Sequence, residues 1–171
     1  DLHSFPTRRS SDLWQKTALN KQINAEFWSA YLYLSMSAHF SHEGFPGFAH
    51  WFRVQFHEEQ EHAAKLMRYL ISRGNKVELA PIDKVETSWD SILKAFEDTL
   101  AHEKVVTSYI HDLVTAARSE NDYATESALR WFVDEQVEEE ETAQGLVDAL
   151  KLIDGNPLGI FTMDKELGQR K

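Results

Sequence analysis

Four stretches of this chain repeat apolar residues at helical spacing, and each of the four breaks its apolar line with an acidic residue. The sharpest case is Phe56-His57-Glu58-Glu59-Gln60-Glu61-His62. Glu59 and His62 are three residues apart, so they share one helix face, which is otherwise Phe52, Phe56, Ala63, Leu66 and Leu70. A carboxylate and an imidazole on a core-facing line are costly to bury without a partner, and a metal ion partners both. The chain must therefore fold so that its helices face one another around polar groups.

The apolar spacing predicts helices over 14–42, 48–72, 88–118 and 123–154. In the first, Leu19, Ile23, Phe27, Ala30, Tyr31, Leu34 and Ala38 form the apolar stripe, with Glu26, Ala30, Tyr33 and Ser37 on one line at its edge. Gly44-Phe45-Pro46-Gly47 is a short break, which makes helices one and two antiparallel neighbours. Gly74 is the expected residue just past the end of helix two. Residues 75–86, with Pro81, show no period and are long enough to run the length of a bundle, so helix three can lie parallel to helix two. Thr87 reads as a cap with Asp90 in the first turn, Ser119–Asp122 as a short turn, and Gly155-Asn156-Pro157 as a stop. Residues 162–171 predict a short fifth helix. The fold class is all-α: a four-helix bundle with one long crossover connection and a short C-terminal fifth helix.

Composition narrows the partners. The formal net charge of −10 disfavours nucleic acid and anionic membranes and favours cations. No apolar run approaches the ~20 residues that cross a bilayer. The chain has no cysteine, which excludes disulfides, thiolate zinc sites and iron–sulfur clusters. Residues 1–13, DLHSFPTRRSSDL, lack the helical period and resemble the translation of a sequencing-adapter oligonucleotide. We read them as a cloning or assembly scar, leaving 14–171 as a single domain.

The acidic residues on the four lines are Glu26, Glu59 with His62, Glu103, and Glu139 with Gln136, each near mid-helix. Side-by-side packing brings them to one level of the core. A lone glutamate on a stripe is ordinarily a boundary residue whose tip reaches water, but four coincident ones are not. No Lys or Arg lies on the same lines, and two divalent cations would supply the missing positive charge. Carboxylates with one imidazole suit iron or manganese better than copper or calcium. One Glu-x-x-His is intact, whereas the second helix pair offers Gln136-x-x-Glu139, a carboxylate-only site expected to hold its metal more weakly. Glu58, Glu135 and Glu138 flank these positions and are candidates for a third, more open cation site. Tyr33, two turns from Glu26, is either an electron donor or ligand-bonding group, or a plain core tyrosine. Trp28, Trp51 and Trp131 read as packing residues, and His102 as lying on a different face from Glu103.

Asn20–Leu34 (NKQINAEFWSAYLYL), Glu58–His62 (EEQEH), His102-Glu103, Trp131–Glu141 (WFVDEQVEEEE) and Met163–Leu167 (MDKEL) together resemble the prokaryotic non-haem ferritins. The likeness runs from about Trp14 to Leu167. It implies a ferritin-like bundle with ferroxidase activity, oxidising Fe(II) with O₂ and storing Fe(III) as mineral. It implies that Glu26, Glu59 and His62 form the first iron site, and that Glu103 and Glu139 form the second, with Glu59 bridging and Gln136 nearby. It further implies that Glu58, Glu135 and Glu138 with Glu139 match a third iron site, and that Tyr33 stands beside the centre. A homo-oligomeric cage of 24 subunits and a cytoplasmic location are expected, and haem is not. The rivals are a rubrerythrin-like di-iron peroxidase, a DNA-protecting mini-ferritin and a metal-free cytokine-like bundle. A single Glu-x-x-His without a Cys-x-x-Cys disfavours the first; an acidic surface with both half-sites in one chain disfavours the second.

Overall fold

The computed structural model describes residues 10–171, which form five helices and, among them, no strand. Helix α1 spans Ser10–His42, α2 Pro46–Ser72, α3 Ile92–Ser119, α4 Tyr123–Ile153 and α5 Pro157–Leu167. No described helix is long and apolar enough to cross a membrane. Of the stretch read as a scar, residues 1–9 lie outside the described residues, while the last four, Ser10–Leu13, continue α1.

Helix starts follow local chemistry. Proline lacks the N–H that a first turn leaves unsatisfied, so Pro46 opens α2 and Pro157 opens α5. The sequence reading treats Pro46 as part of the break and starts the fifth helix at Thr162. Instead, Asn156 caps α5 by accepting from Gly159 N at 3.1 Å, so the signal that stops α4 also starts α5. Helix α3 starts four residues later than its expected start at Ser88. Ser91, not Thr87, caps it, accepting from Lys94 N at 3.0 Å. The freed residues stay outside the helix and bury Trp89 against His39, with ring centroids 5.4 Å apart. Asp122 caps α4 as the turn reading anticipates, accepting from Thr125 N at 3.1 Å.

The crossover runs along α1 in the same direction as that helix. Glu78 N donates to Asn20 Oδ1 at 2.8 Å, Asn24 Nδ2 donates to Pro81 O at 3.2 Å, and Ser35 Oγ donates to Glu86 O at 2.6 Å. The chain thus returns to the far end of the bundle before α3 begins, which makes α3 parallel to α2. Two short connections flank one long one, giving the expected bundle. Gly74, at φ 77°, supplies the left-handed turn that ends α2. Gly47 serves closeness instead: a Cβ there would fall 1.5 Å from Asp164 O, so only glycine lets α5 dock on α2.

Two apolar clusters fill the core and a polar belt divides them. One is aromatic, built on Phe40, Phe48, Phe52 and Phe96, with Phe52 and Phe96 centroids 4.9 Å apart. The other is mostly aliphatic: Leu19, Ile23, Leu66, Leu70, Val106, Ile110, Leu113, Leu129 and Phe132. Truncating a ring such as Phe52 to alanine in so dense a cluster costs about 3–5 kcal/mol. The expected stripes of α2, α3 and α4 face these clusters. That of α1 is corrected in part: Tyr31 and Leu34 are 47% and 37% exposed, and Ala38 is exposed too. The buried line of α1 is the one through Glu26, Tyr33 and Ser37, because that face meets α2 and α3.

Candidate metal centre

The belt is a layer of buried polar side chains contributed by all four long helices. Helix α1 supplies Gln22, Glu26 and Tyr33; α2 supplies Gln55, Glu59 and His62; α3 supplies Glu103; α4 supplies Gln136 and Glu139. All are less than a tenth exposed. Four-residue and three-residue spacings put each set on its helix's inward line, and the apolar clusters above and below hold the lines in register.

Among the described residues, two groups of possible ligand atoms converge, each within 4.8 Å: Glu26–Glu59–His62, and His62–Glu135–Glu139. His62 stands at the junction. Its Nδ1 lies 3.4 Å from Glu59 Oε2 and 3.9 Å from Glu26 Oε2, and its Nε2 lies 3.9 Å from Glu135 Oε1. The Trp131 ring packs edge-on against the imidazole, centroids 5.3 Å apart, with Lys65 Nζ 4.0 Å over the indole. Gln22 Nε2 donates to Glu26 Oε1 at 2.9 Å, while Glu26 Oε2 is buried with no hydrogen-bond partner. A carboxylate oxygen is not left so without cost, and a cation is the partner its surroundings lack.

The α3–α4 side is differently committed. Tyr33 donates a hydrogen bond to Glu103 Oε1, and Gln136 Nε2 donates to Glu103 Oε2 at 3.1 Å. Gln55 Nε2 donates to Glu139 Oε2 at 2.8 Å and, more weakly, to Glu59 Oε1 at 3.5 Å. Burial and crowding of like charges act on the whole group. Burial raises Glu59 well above the ordinary carboxylate range, and the charges of Glu103, Glu26 and Glu139 push the same way. Burial lifts Glu103 to about 7 against the opposing hydrogen bonds of Tyr33 and Gln136. Burial, then the charge of Glu103, lift Glu139 to about 8. Buried like charges crowded in this way are relieved either by protons or by a bound cation.

Each sequence-derived residue can now be placed. Glu26, Glu59, His62, Glu103, Gln136, Glu139 and Tyr33 all lie in the belt. Of the residues read as a third site, Glu135 joins His62 and Glu139, whereas Glu138 is exposed and joins neither group. Glu58 is half-buried and bonded instead to Arg170 Nη2 at 2.5 Å. His102 lies off the belt as expected, bonded to Ser29 Oγ at 2.7 Å and packed on Trp28; burial lowers it to about 4. Gln22, Gln55 and Arg170 are not among the site residues expected from the sequence, although Gln55 is read there as lying on the inward line of helix two. Gln22 and Gln55 carried a usable signal, since each lies four residues before a belt glutamate on the same line.

The comparisons with known proteins agree with this architecture. The Ferritin-like domain matches residues 16–153. A bacterial non-heme ferritin of Bacteroides fragilis is 48% identical over 155 residues, covering 91% of this chain and 96% of its own. One of Staphylococcus epidermidis is 39% identical over 153 residues, covering 90% and 92%. Among solved structures, the open pore ferritin of the archaeon Archaeoglobus fulgidus superposes with a TM-score of 0.92 at 44% identity, covering 96% of this chain and 100% of its own. A closed form engineered from that protein gives a TM-score of 0.91 at 46% identity, covering 92% and 96%. With a ferritin-like domain matched over most of its length and relatives of that name at these identities, the chain belongs to the ferritin family.

Proposed function

We propose that this protein is an iron-storage ferritin with ferroxidase activity. Fe(II) is the substrate, O₂ the oxidant and ferric mineral the stored product. The observation that carries the reading is the belt itself: five buried glutamate and histidine side chains from four helices, one with an unpartnered carboxylate oxygen, and no lysine or arginine on their lines. Glu26, Glu59 and His62 would hold one Fe(II), and Glu103 and Glu139 the second, with Glu59 shared and Gln136 alongside. Glu135 is the nearest member of a further cation position beside Glu139, with Glu58 and Glu138 at its rim. Hard carboxylate oxygens favour Fe(III) over Fe(II), so they lower the potential of bound iron and drive its oxidation. Each of two Fe(II) ions gives one electron to O₂, which takes two protons and leaves as hydrogen peroxide. Burial holds Glu103 and Glu139, raised to about 7 and 8, toward their protonated forms, so Fe(II) binding there displaces protons. Tyr33, hydrogen-bonded to Glu103, orients that carboxylate.

Assembly into a hollow cage of 24 subunits, and a cytoplasmic location, are part of the same proposal and are supported by the likeness to ferritins over most of the chain. The rubrerythrin-like and mini-ferritin alternatives gain no specific support from the belt. Stopped-flow Fe(II) oxidation by Glu59→Ala and His62→Ala proteins tests the reading. Both are expected to lose the fast initial phase, and wild-type initial rates in both would refute it. Electron microscopy of the assembled protein tests the cage.

A further inference from the structure

No arginine or lysine sits on the four inward lines, yet one guanidinium reaches the belt from outside the bundle. After α5 the chain folds back over α2 and lays Arg170 against four of its residues. Arg170 Nη2 donates to Glu58 Oε2 at 2.5 Å, and Nη1 donates to Gln55 Oε1 at 2.9 Å and to Trp51 O at 3.2 Å. The guanidinium lies 4.5 Å over the Trp51 ring, and the Arg170 carbonyl is 2.7 Å from His50 Nε2. Gln55 is fully buried and uses its other end on Glu139 and Glu59. An amide whose oxygen is held by a cation must turn its N–H groups the opposite way, here onto two belt carboxylates. A fixed positive charge therefore stands one amide away from Glu59 and Glu139, and directly on Glu58.

We propose that Arg170 is a positioning residue of the metal centre, a tethered cation whose docking opposes metal loading. This rests on the reading of the belt as a metal centre. The guanidinium and an incoming divalent ion draw on the same carboxylates. A metal on Glu139 withdraws the acceptor of Gln55, which loosens the amide that Arg170 holds; a cation approaching Glu58 competes with Arg170 outright. Two nearby cations also repel. Linkage is reciprocal: whatever factor the docked arginine costs in metal affinity, metal loading costs in docking of the tail. Planar, forked donation to Glu58 and Gln55 together, with stacking on Trp51, is suited to arginine, so lysine would keep the charge and lose the bridge.

Calorimetric titration of Zn(II) into the full-length wild type, Arg170→Ala and Arg170→Lys proteins tests this, with Glu59→Ala to identify binding at the belt. The weakest Glu59-dependent equivalent is expected to tighten about tenfold in Arg170→Ala, within the usual range of coupling between sites, and to stay closer to wild type in Arg170→Lys. Raising the ionic strength should shrink the difference. In the wild type, Zn(II) should speed hydrogen exchange of the Gly168, Gln169 and Arg170 amides, which are bonded to Asp164, Glu166 and Leu167 carbonyls. Glu59-dependent affinity indifferent to Arg170→Ala, with only a lowered melting temperature, would mean the arginine is a structural staple and would overturn the inference alone. Zn(II) binding unchanged by Glu59→Ala would overturn the reading of the belt, and the inference with it.

Discussion

The two sides of the belt are built from the same residue types but are committed differently. On the α1–α2 side, Glu26 keeps one oxygen unpartnered, Glu59 receives only a long 3.5 Å hydrogen bond, and the imidazole of His62 lies beside both. On the α3–α4 side, both oxygens of Glu103 are taken, by Tyr33 and Gln136, and Glu139 is held by Gln55 at 2.8 Å. The first side is an open set of candidate ligands with a nitrogen among them. The second is a set of carboxylates already satisfied by neutral donors and held toward their protonated forms. A metal entering the second side must displace hydrogen bonds as well as protons; one entering the first displaces the proton that burial favours on Glu59 but few hydrogen bonds. The difference orders the two sites: the first is expected to fill first and to hold more tightly.

The largest effect should come from the residue the sides share. Removing a group that merely orients a ligand costs about 10–100-fold in affinity or activity, so Glu59→Ala, which removes the ligand itself, should slow Fe(II) oxidation by more than about 100-fold. Next, single-side variants should separate the sites in anaerobic Fe(II) titrations. His62→Ala is expected to lose the tighter equivalent by about 100-fold, while Glu139→Ala keeps it and loses the weaker one. Equal loss of both equivalents in each variant would collapse the comparison into a single cooperative site.

Acidity offers a third way to sharpen it. Glu103 and Glu139 bind protons more readily folded than unfolded, so they contribute stability below their unfolded pKa. That stability is lost as pH rises through about 7 and 8. Each proton so retained tilts stability by about 1.4 kcal/mol per pH unit. The metal-free protein should therefore melt at a lower temperature at pH 8.5 than at pH 5.5, and Glu139→Gln should flatten that slope. A divalent metal, which replaces those protons, should reverse it. The smallest effect belongs to the donors. Tyr33→Phe and Gln136→Leu should each shift the second equivalent by about tenfold or less and leave the first in place, as measured in the same titrations.

Much of this was legible in the sequence because the helices are long and their stripes regular. Glu103 and Glu139 interrupt runs such as Phe96-Leu100-Val106 and Phe132-Ala143-Leu146 at helical spacing, and side-chain direction in a helix is fixed by number alone. The crossover was legible from its length and lack of period. Helix α1 was harder to read because it is apolar on more than one side: Tyr31 and Leu34 match a stripe as well as the true buried line does, and only packing against α2 and α3 chooses between them. The start of α3 was misplaced because Thr87 and Ser91 are both good caps, and burial of Trp89 decides in favour of the second. Arg170 left no trace at all. Its place depends on where α5 sends the chain, and that depends on the close approach of Gly47 to Asp164, a tertiary contact with no local signature.

The central claim is that four helices gather two adjacent metal positions bridged by Glu59. An anomalous difference map at the iron edge, from crystals loaded with Fe(II) under anaerobic conditions, tests it most directly. Two peaks are expected in the belt, one against Glu26, Glu59 and His62 and one against Glu59, Glu103 and Glu139, with the first stronger at limiting iron. A belt without peaks, or iron bound only at exposed carboxylates such as Glu138, would contradict it.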